Sequence, residues 1–224
     1  MRLGLLLGVA MSALGVSPAA SADDPPFYTV TYVEVVPPST VQGAAALRQY
    51  GEASRRDVGN LRVEVLQRID RPSHFAVLAL WKDQKAFEAH RAAASMNEFR
   101  DKLRPLLASP NDERLHHGLS VGPVATGGGA LYAVTHVDVI PPRKDDGVAL
   151  LKQLAEDSRK DAGGQRFDVV QQVNRPNHFT VIEVWTDRKA FDAHGMTAPT
   201  RQFRERLAPM SGALYDERLY TELK

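Results

Sequence analysis

Residues 28 to 119 overlie residues 132 to 223 at one constant offset, without a gap, and 41 of the 92 paired positions are identical. A chain written twice in this way must fold as two copies of one unit, and each copy must satisfy the same pattern of buried and exposed positions. The match is carried by YTVTYVEVVPP against YAVTHVDVIPP, RPSHFAVLALW against RPNHFTVIEVW, WKDQKAFEAH against WTDRKAFDAH, and DERL in both. Between the copies lies SVGPVATGGGA, whose glycines and small residues read as a linker; alanine follows the glycine triplet, where a phosphate loop needs Lys-Ser or Lys-Thr. The expected organisation is a leader over 1–22, a first repeat over 27–119, a linker over 120–130 and a second repeat over 131–224.

Each copy gives the same order of elements. Tyr28 to Val36 alternates β-branched and aromatic residues and stops at Pro37-Pro38, a strand. Leu47, Tyr50 and Ser54, like Leu151, Leu154 and Ser158, recur at helical spacing, and Gly59 or Gly163 is expected to end that helix. Two strands follow, about Leu61 to Ile69 and His74 to Trp81, then helix from Asp83 to about Ala93. A second helical piece around Phe99 to Leu107 and a strand near Glu113 to Leu119 complete the unit. Asp83 and Asp187 immediately precede the helical pattern, where a short carboxylate caps free N–H groups. The order βαββαβ is a ferredoxin-like α+β unit with helices on one sheet face. The bare face needs a cover, and the second copy supplies it as a pseudo-twofold dimer within one chain, with surface left for further self-association.

Composition narrows the chemistry. The chain has no cysteine, so thiolate nucleophiles, thiolate zinc sites and disulfides are excluded. The formal charge of +1 carries no long basic run, which argues against nucleic acid as a partner. An apolar run from about Leu3 to Leu14 precedes Ala20-Ser21-Ala22, which predicts a secretory leader cut after Ala22; no later stretch is apolar enough to cross a membrane. Export to the periplasm or beyond the cell is therefore expected.

Trp81 and Trp185 end the third strand of each copy, on the face of Phe75, Val77 and Ala79 in one and Phe179, Val181 and Glu183 in the other. A tryptophan there is ordinarily core, but a carboxylate beside it must be paired, exposed at an edge or set in a cavity. His90 and His194 follow Phe87 and Phe191 by three residues and lie near the buried stripe, where a structural histidine is the commoner reading. Tyr32 on the first strand becomes His136. The second copy thus offers His136, Glu183, Trp185 and His194, against Tyr32, Ala79, Trp81 and His90, so only it carries the acid–base groups for proton transfer. No metal is expected: adjacent His116-His117 point to opposite strand faces, and His74 and His178 are expected exposed at a strand start.

SRRDVGNLRVEVLQ…HFAVLALWKDQKAFEAH and SRKDAGGQRFDVVQ…HFTVIEVWTDRKAFDAH resemble the antibiotic biosynthesis monooxygenase (ABM) domain, including the small quinol monooxygenases, over essentially both repeats. The resemblance implies a dimeric α+β barrel with a pocket between sheet and helices. It also implies oxygen chemistry without flavin or metal, in which a small aromatic quinol or phenol is deprotonated and its anion reduces O2. The family's Glu falls on Glu183, its Trp on Trp81 and Trp185, and its helical His on His90 and His194. Ala79 stands where the family often has Glu, and Ser95 and Pro199 stand where many relatives have a second His. A haem-cleaving branch uses a strand-one Asn, which the residues Tyr32 and His136 match poorly. On this reading His136 accepts or orients the proton with Glu183 as its partner, Trp185 walls the pocket, and His194 hydrogen-bonds within it; Trp81, His90 and Tyr32 line the first repeat's site. The competing readings are a non-catalytic periplasmic binding or stress-related module, and a barrel in which these residues are only core.

Overall fold

A computed structural model describes residues 25–123 and 131–223. The predicted leader and the glycine triplet of the linker lie outside the described residues. The first repeat runs β1 (Phe27–Glu34), α1 (Thr40–Ser54), β2 (Asn60–Arg68), β3 (His74–Trp81), α2 (Gln84–Ala92), α3 (Ala94–Leu103) and β4 (Asp112–Ser120). The second repeats it as β5 (Leu131–Asp138), α4 (Lys144–Ser158), β6 (Gly164–Gln172), β7 (His178–Trp185), α5 (Arg188–Gly195), α6 (Ala198–Leu207) and β8 (Asp216–Glu222). Asp83 and Asp187 cap α2 and α5, each carboxylate accepting from the backbone N–H three residues on, at 2.7 and 2.8 Å.

Two expectations shift. The last helix of each repeat begins about five residues earlier than the pattern around Phe99 indicates, since Ala94 and Ala198 continue the chain directly out of the preceding helix. Gly59 and Gly163 do not cap α1 and α4, which stop at Ser54 and Ser158; they end the turn that leads into β2 and β6, with φ of +84° and +81°. A Cβ at Gly163 would stand 2.5 Å from that of Ala190 on α5. Gly163→Ala is therefore expected to cost about 2–4 kcal/mol, from left-handed strain and overlap with a packed helix, read as a lower urea midpoint.

The eight strands close into one barrel in the order β1-β3-β2-β8-β5-β7-β6-β4. The last strand of each repeat pairs with its own first strand and reaches across to the other repeat, β4 to β6 and β8 to β2, so neither copy keeps a bare sheet face or a free edge. Alternation then sorts the side chains. Tyr28, Val30, Leu78, Leu80, Tyr132, Val134, Ile182 and Val184 fill the barrel interior. Phe75, Val77, Ala79 and Trp81, with Phe179, Val181 and Trp185, face the helices in two separate cores.

One end of the interior is polar. Arg166 on β6 grips Glu64 on β2 through two parallel hydrogen bonds of 2.9 and 2.7 Å, joining one repeat to the other. Arg62 lies 3.6 Å from both Glu64 and Asp168, and the hydroxyl of Tyr132 donates to Glu64 at 3.3 Å. Positions 62 and 64 are the duplicates of 166 and 168, so the pseudo-twofold sets two Arg-acid pairs against each other where each can neutralise its counterpart.

Candidate functional site

On the helix side of each repeat, the strand-end tryptophan lies against the helical histidine. In the second repeat Trp185 stacks on His194 with ring centres 4.8 Å apart, and its indole N–H donates to Glu183 Oε2 at 2.9 Å. His194 Nε2 stands 3.8 Å from the same oxygen, while its Nδ1 meets Asp161 Oδ2 at 2.7 Å. Thr200 Oγ1 lies 3.3 Å from Nε2. Glu183 is 2% exposed, and burial pushes its carboxyl up to about 8 against the smaller, opposite pull of the indole hydrogen bond. At neutral pH it is mostly the uncharged acid, held among apolar side chains.

The first repeat keeps the same frame but not the acid. Trp81 lies 4.6 Å from His90, and its indole N–H, facing Ala79 in place of glutamate, is buried without a hydrogen-bond partner. His90 is fixed from both sides: Nδ1 contacts Asp57 Oδ2 at 2.6 Å and Nε2 contacts the hydroxyl of Tyr50 at 3.1 Å. Burial pushes the Tyr50 hydroxyl up to about 12, so it keeps its proton and donates. In the neutral imidazole, an Nδ1–H that donates to the Asp57 carboxylate leaves Nε2 with a lone pair for the Tyr50 hydroxyl.

His90 borders open space. A cavity of about 190 Å3 is lined by Tyr50, Asp57, His90, Met96 and Phe99, and a second of about 230 Å3 shares Tyr50, Met96 and Phe99 while reaching the sheet at Thr31 and Val77. In the second repeat the equivalent lining differs: the larger Leu150 and Tyr215 replace Ala46 and Asn111, the smaller Leu154 replaces Tyr50, and all three pack into or against the core around Trp185. A cavity of about 190 Å3 thus lies beside the histidine that lacks the glutamate, against one of about 50 Å3 beside Trp185.

The structure brings Glu183, Trp185 and His194 together, and separately Trp81 and His90. It does not add His136 or Tyr32 to them. His136 pairs across the sheet with Thr180 and Tyr32 with Ala76, positions whose side chains point into the barrel, whereas Glu183 pairs with Ala133 on the helix side. Tyr32 lies under the guanidinium groups of Arg114 and Arg218, 5.1 and 4.8 Å from its ring centre. The expected partnership of His136 with Glu183 is thus replaced by one of Glu183 with His194, because the sheet stands between the first pair. Asp57 and Asp161, which orient the two helical histidines, were not singled out from sequence; their signal is the shared Ser-Arg-basic-Asp before Gly59 and Gly163.

An eight-stranded barrel closed by two βαββαβ units, with a tryptophan-histidine pair under the helices of each, defines the dimeric α+β barrel class. The profile of the antibiotic biosynthesis monooxygenase family matches residues 26–102 and again 130–206, more than half of the chain. The protein belongs to that family, as a tandem duplication carrying both halves of the barrel. Three similar proteins carry the description "putative monooxygenase". YcnE of Bacillus subtilis (strain 168) is 26% identical over 68 residues, 30% of this chain and 72% of that protein. The Fusobacterium nucleatum structure superposes with a TM-score of 0.79 at 14% identity, covering 90% of this chain and 94% of that one. The Lactobacillus acidophilus structure gives 0.73 at 13%, covering 90% and 95%. At such identities the two structures establish the fold alone.

Proposed function

We propose that this chain oxidises a small electron-rich phenol or quinol with O2, and that the first repeat holds the substrate. The observation that carries the reading is His90, which lines a cavity with Tyr50, Met96 and Phe99, its Nε2 in contact with the Tyr50 hydroxyl while Asp57 holds the opposite nitrogen. A substrate hydroxyl would take the place of Tyr50 on Nε2 and give up its proton there, with Asp57 balancing the imidazolium and the displaced Tyr50 hydroxyl free to donate to the phenolate oxygen. The phenolate passes one electron to O2, the radical pair combines at a hydrogen-bearing ring carbon ortho or para to the oxygen, and the peroxide takes back the proton held on His90. Loss of water, taking that carbon's hydrogen, leaves the quinone, with one oxygen atom in the product and the other in water. The leader-like run ending at Ala22 supports export to the periplasm or medium, which N-terminal sequencing of the recovered protein would test.

Oxygen uptake with a panel of hydroxynaphthalenes and benzene quinols tests the reaction. The wild type is expected to exceed autoxidation, and His90→Ala to lose about 10²–10⁴-fold in kcat/KM, with a smaller loss for Asp57→Asn. A rate no faster than autoxidation throughout the panel overturns the reading and leaves a binding module. A second reading places the chemistry in the second repeat, supported by the uncharged Glu183 3.8 Å from His194. It requires Glu183→Gln, and not His90→Ala, to abolish turnover.

A further inference from the structure

At the rim of the barrel, on the sheet face away from both tryptophan-histidine pairs, His136, Asp138 and His178 converge. His136 and Asp138 are alternate residues of β5, and His178 opens β7 directly opposite Asp138. Asp138 Oδ1 lies 2.7 Å from His136 Nε2 and 2.6 Å from His178 Nδ1, and the two nitrogens lie 3.4 Å apart. Despite these distances Asp138 Oδ1, a buried atom, makes no hydrogen bond: it sits off the N–H direction of both rings. Three ligand atoms that crowd one point, with a single long contact of 3.4 Å between the two nitrogens and no hydrogen bond to the carboxylate oxygen, have the arrangement of ligands aimed at a shared cation.

We propose that His136 Nε2, Asp138 Oδ1 and His178 Nδ1 form a binding site for a divalent first-row transition metal. Two imidazoles and one carboxylate suit Zn2+, Co2+, Ni2+ or Cu2+ rather than Ca2+ or Mg2+, which take oxygen ligands. Nitrogens held about 2.0–2.1 Å from a tetrahedral ion stand roughly 3.3 Å apart, close to the separation here; small side-chain rotations open the two shorter contacts. The charge of Arg114 is met by Asp112 at 2.7 Å and that of Arg218 by Asp216. The three side chains are partly exposed, so an ion can enter from solvent and keep at least one position open to water or a small anion. The first repeat is a built-in control. It has Tyr32, Glu34 and His74 at the equivalent positions, with Glu34 and His74 3.5 Å apart, and lacks one imidazole. The expectation that the chain holds no metal weighed His116-His117 and set His178 aside as exposed at a strand start; the ligands instead come from an i, i+2 pair and its cross-strand neighbour, His178.

The test uses tag-free, chelator-stripped protein titrated with Zn2+ by calorimetry, and with Co2+ followed by visible absorption. One equivalent per chain is expected, at roughly micromolar Kd or tighter, with Tm rising as Zn2+ is added. His136→Tyr, which installs the residue the duplicate already accommodates, and Asp138→Asn should each weaken binding at least ~10-fold, while His74→Ala leaves it unchanged. Absence of heat, colour and Tm shift in the wild type overturns the site. So does Zn2+ binding that survives in His136→Tyr and Asp138→Asn when both variants melt cooperatively.

Discussion

Glu64→Ala is expected to destabilise the fold by about 3–5 kcal/mol, because it strips the carboxylate from a buried Arg166 that has little water to turn to. Asp168, 3.6 Å from Arg166 Nε, recovers part of the interaction, so the loss belongs nearer the lower figure. Glu64 also accepts from Tyr132, so the substitution removes two contacts that tie the first repeat to the second. Urea unfolding of the wild type, Glu64→Ala and Glu64→Gln measures this. Gln keeps the volume and one acceptor, and should fall between the other two. A loss below about 1 kcal/mol for Ala would show the seam to be held by its apolar neighbours instead.

The second large effect is on the pH dependence of stability. Glu183 has a folded pKa of about 8 against an ordinary value of 4.5, so the folded state holds the proton more tightly than the unfolded chain. The sign follows: the group costs nothing below about pH 4.5, stability falls as pH rises from there, and the loss is complete above about pH 8. Its size is roughly 4–5 kcal/mol, at about 1.4 kcal/mol per pH unit. Glu183→Gln keeps an acceptor for the Trp185 indole and cannot ionise, so its advantage over the wild type should grow from pH 5 to pH 9. His116 works in the other direction at lower pH. Burial depresses its pKa to about 3, so its neutral form stabilises the fold above about pH 6.5 and that contribution is lost on acidification. Both proteins share His116, so the difference between them isolates Glu183. A difference in urea midpoint that stays constant across pH 5–9 would contradict the assignment.

The two repeats have divided what a symmetric dimer would hold twice. The second has Leu150 and Tyr215 on its helix side, larger than Ala46 and Asn111, and holds the buried acid; the first has Ala79 in place of the acid and a cavity beside His90. The orphaned indole N–H of Trp81 marks where the carboxylate is missing. Ala79→Glu is therefore expected to rebuild the Trp185–Glu183 arrangement in the first repeat. Its readout, in a Glu183→Gln background that removes the other buried acid, is a new pH-dependent step in Trp81 fluorescence.

Much of the fold was legible in the residues. The gapless duplication required two equal units, strand and helix periods gave βαββαβ, and Asp83 and Asp187 announced the helix starts they cap. The face shared by Trp185 and Glu183 followed from alternation within one strand; the hydrogen bond between them is read only from the structure. What sequence alone could not supply was any relation between strands. Whether His136 lies with Glu183 depends on the register of β5 against β7, and a pairing of His136 with Thr180 puts it on the opposite side of the sheet. The same register that takes His136 from one constellation delivers it to another, beside Asp138 and His178. Period and composition are local and survive in a string of letters; the companions of a side chain across a closed barrel are fixed only when hydrogen bonding between strands sets which residues stand opposite.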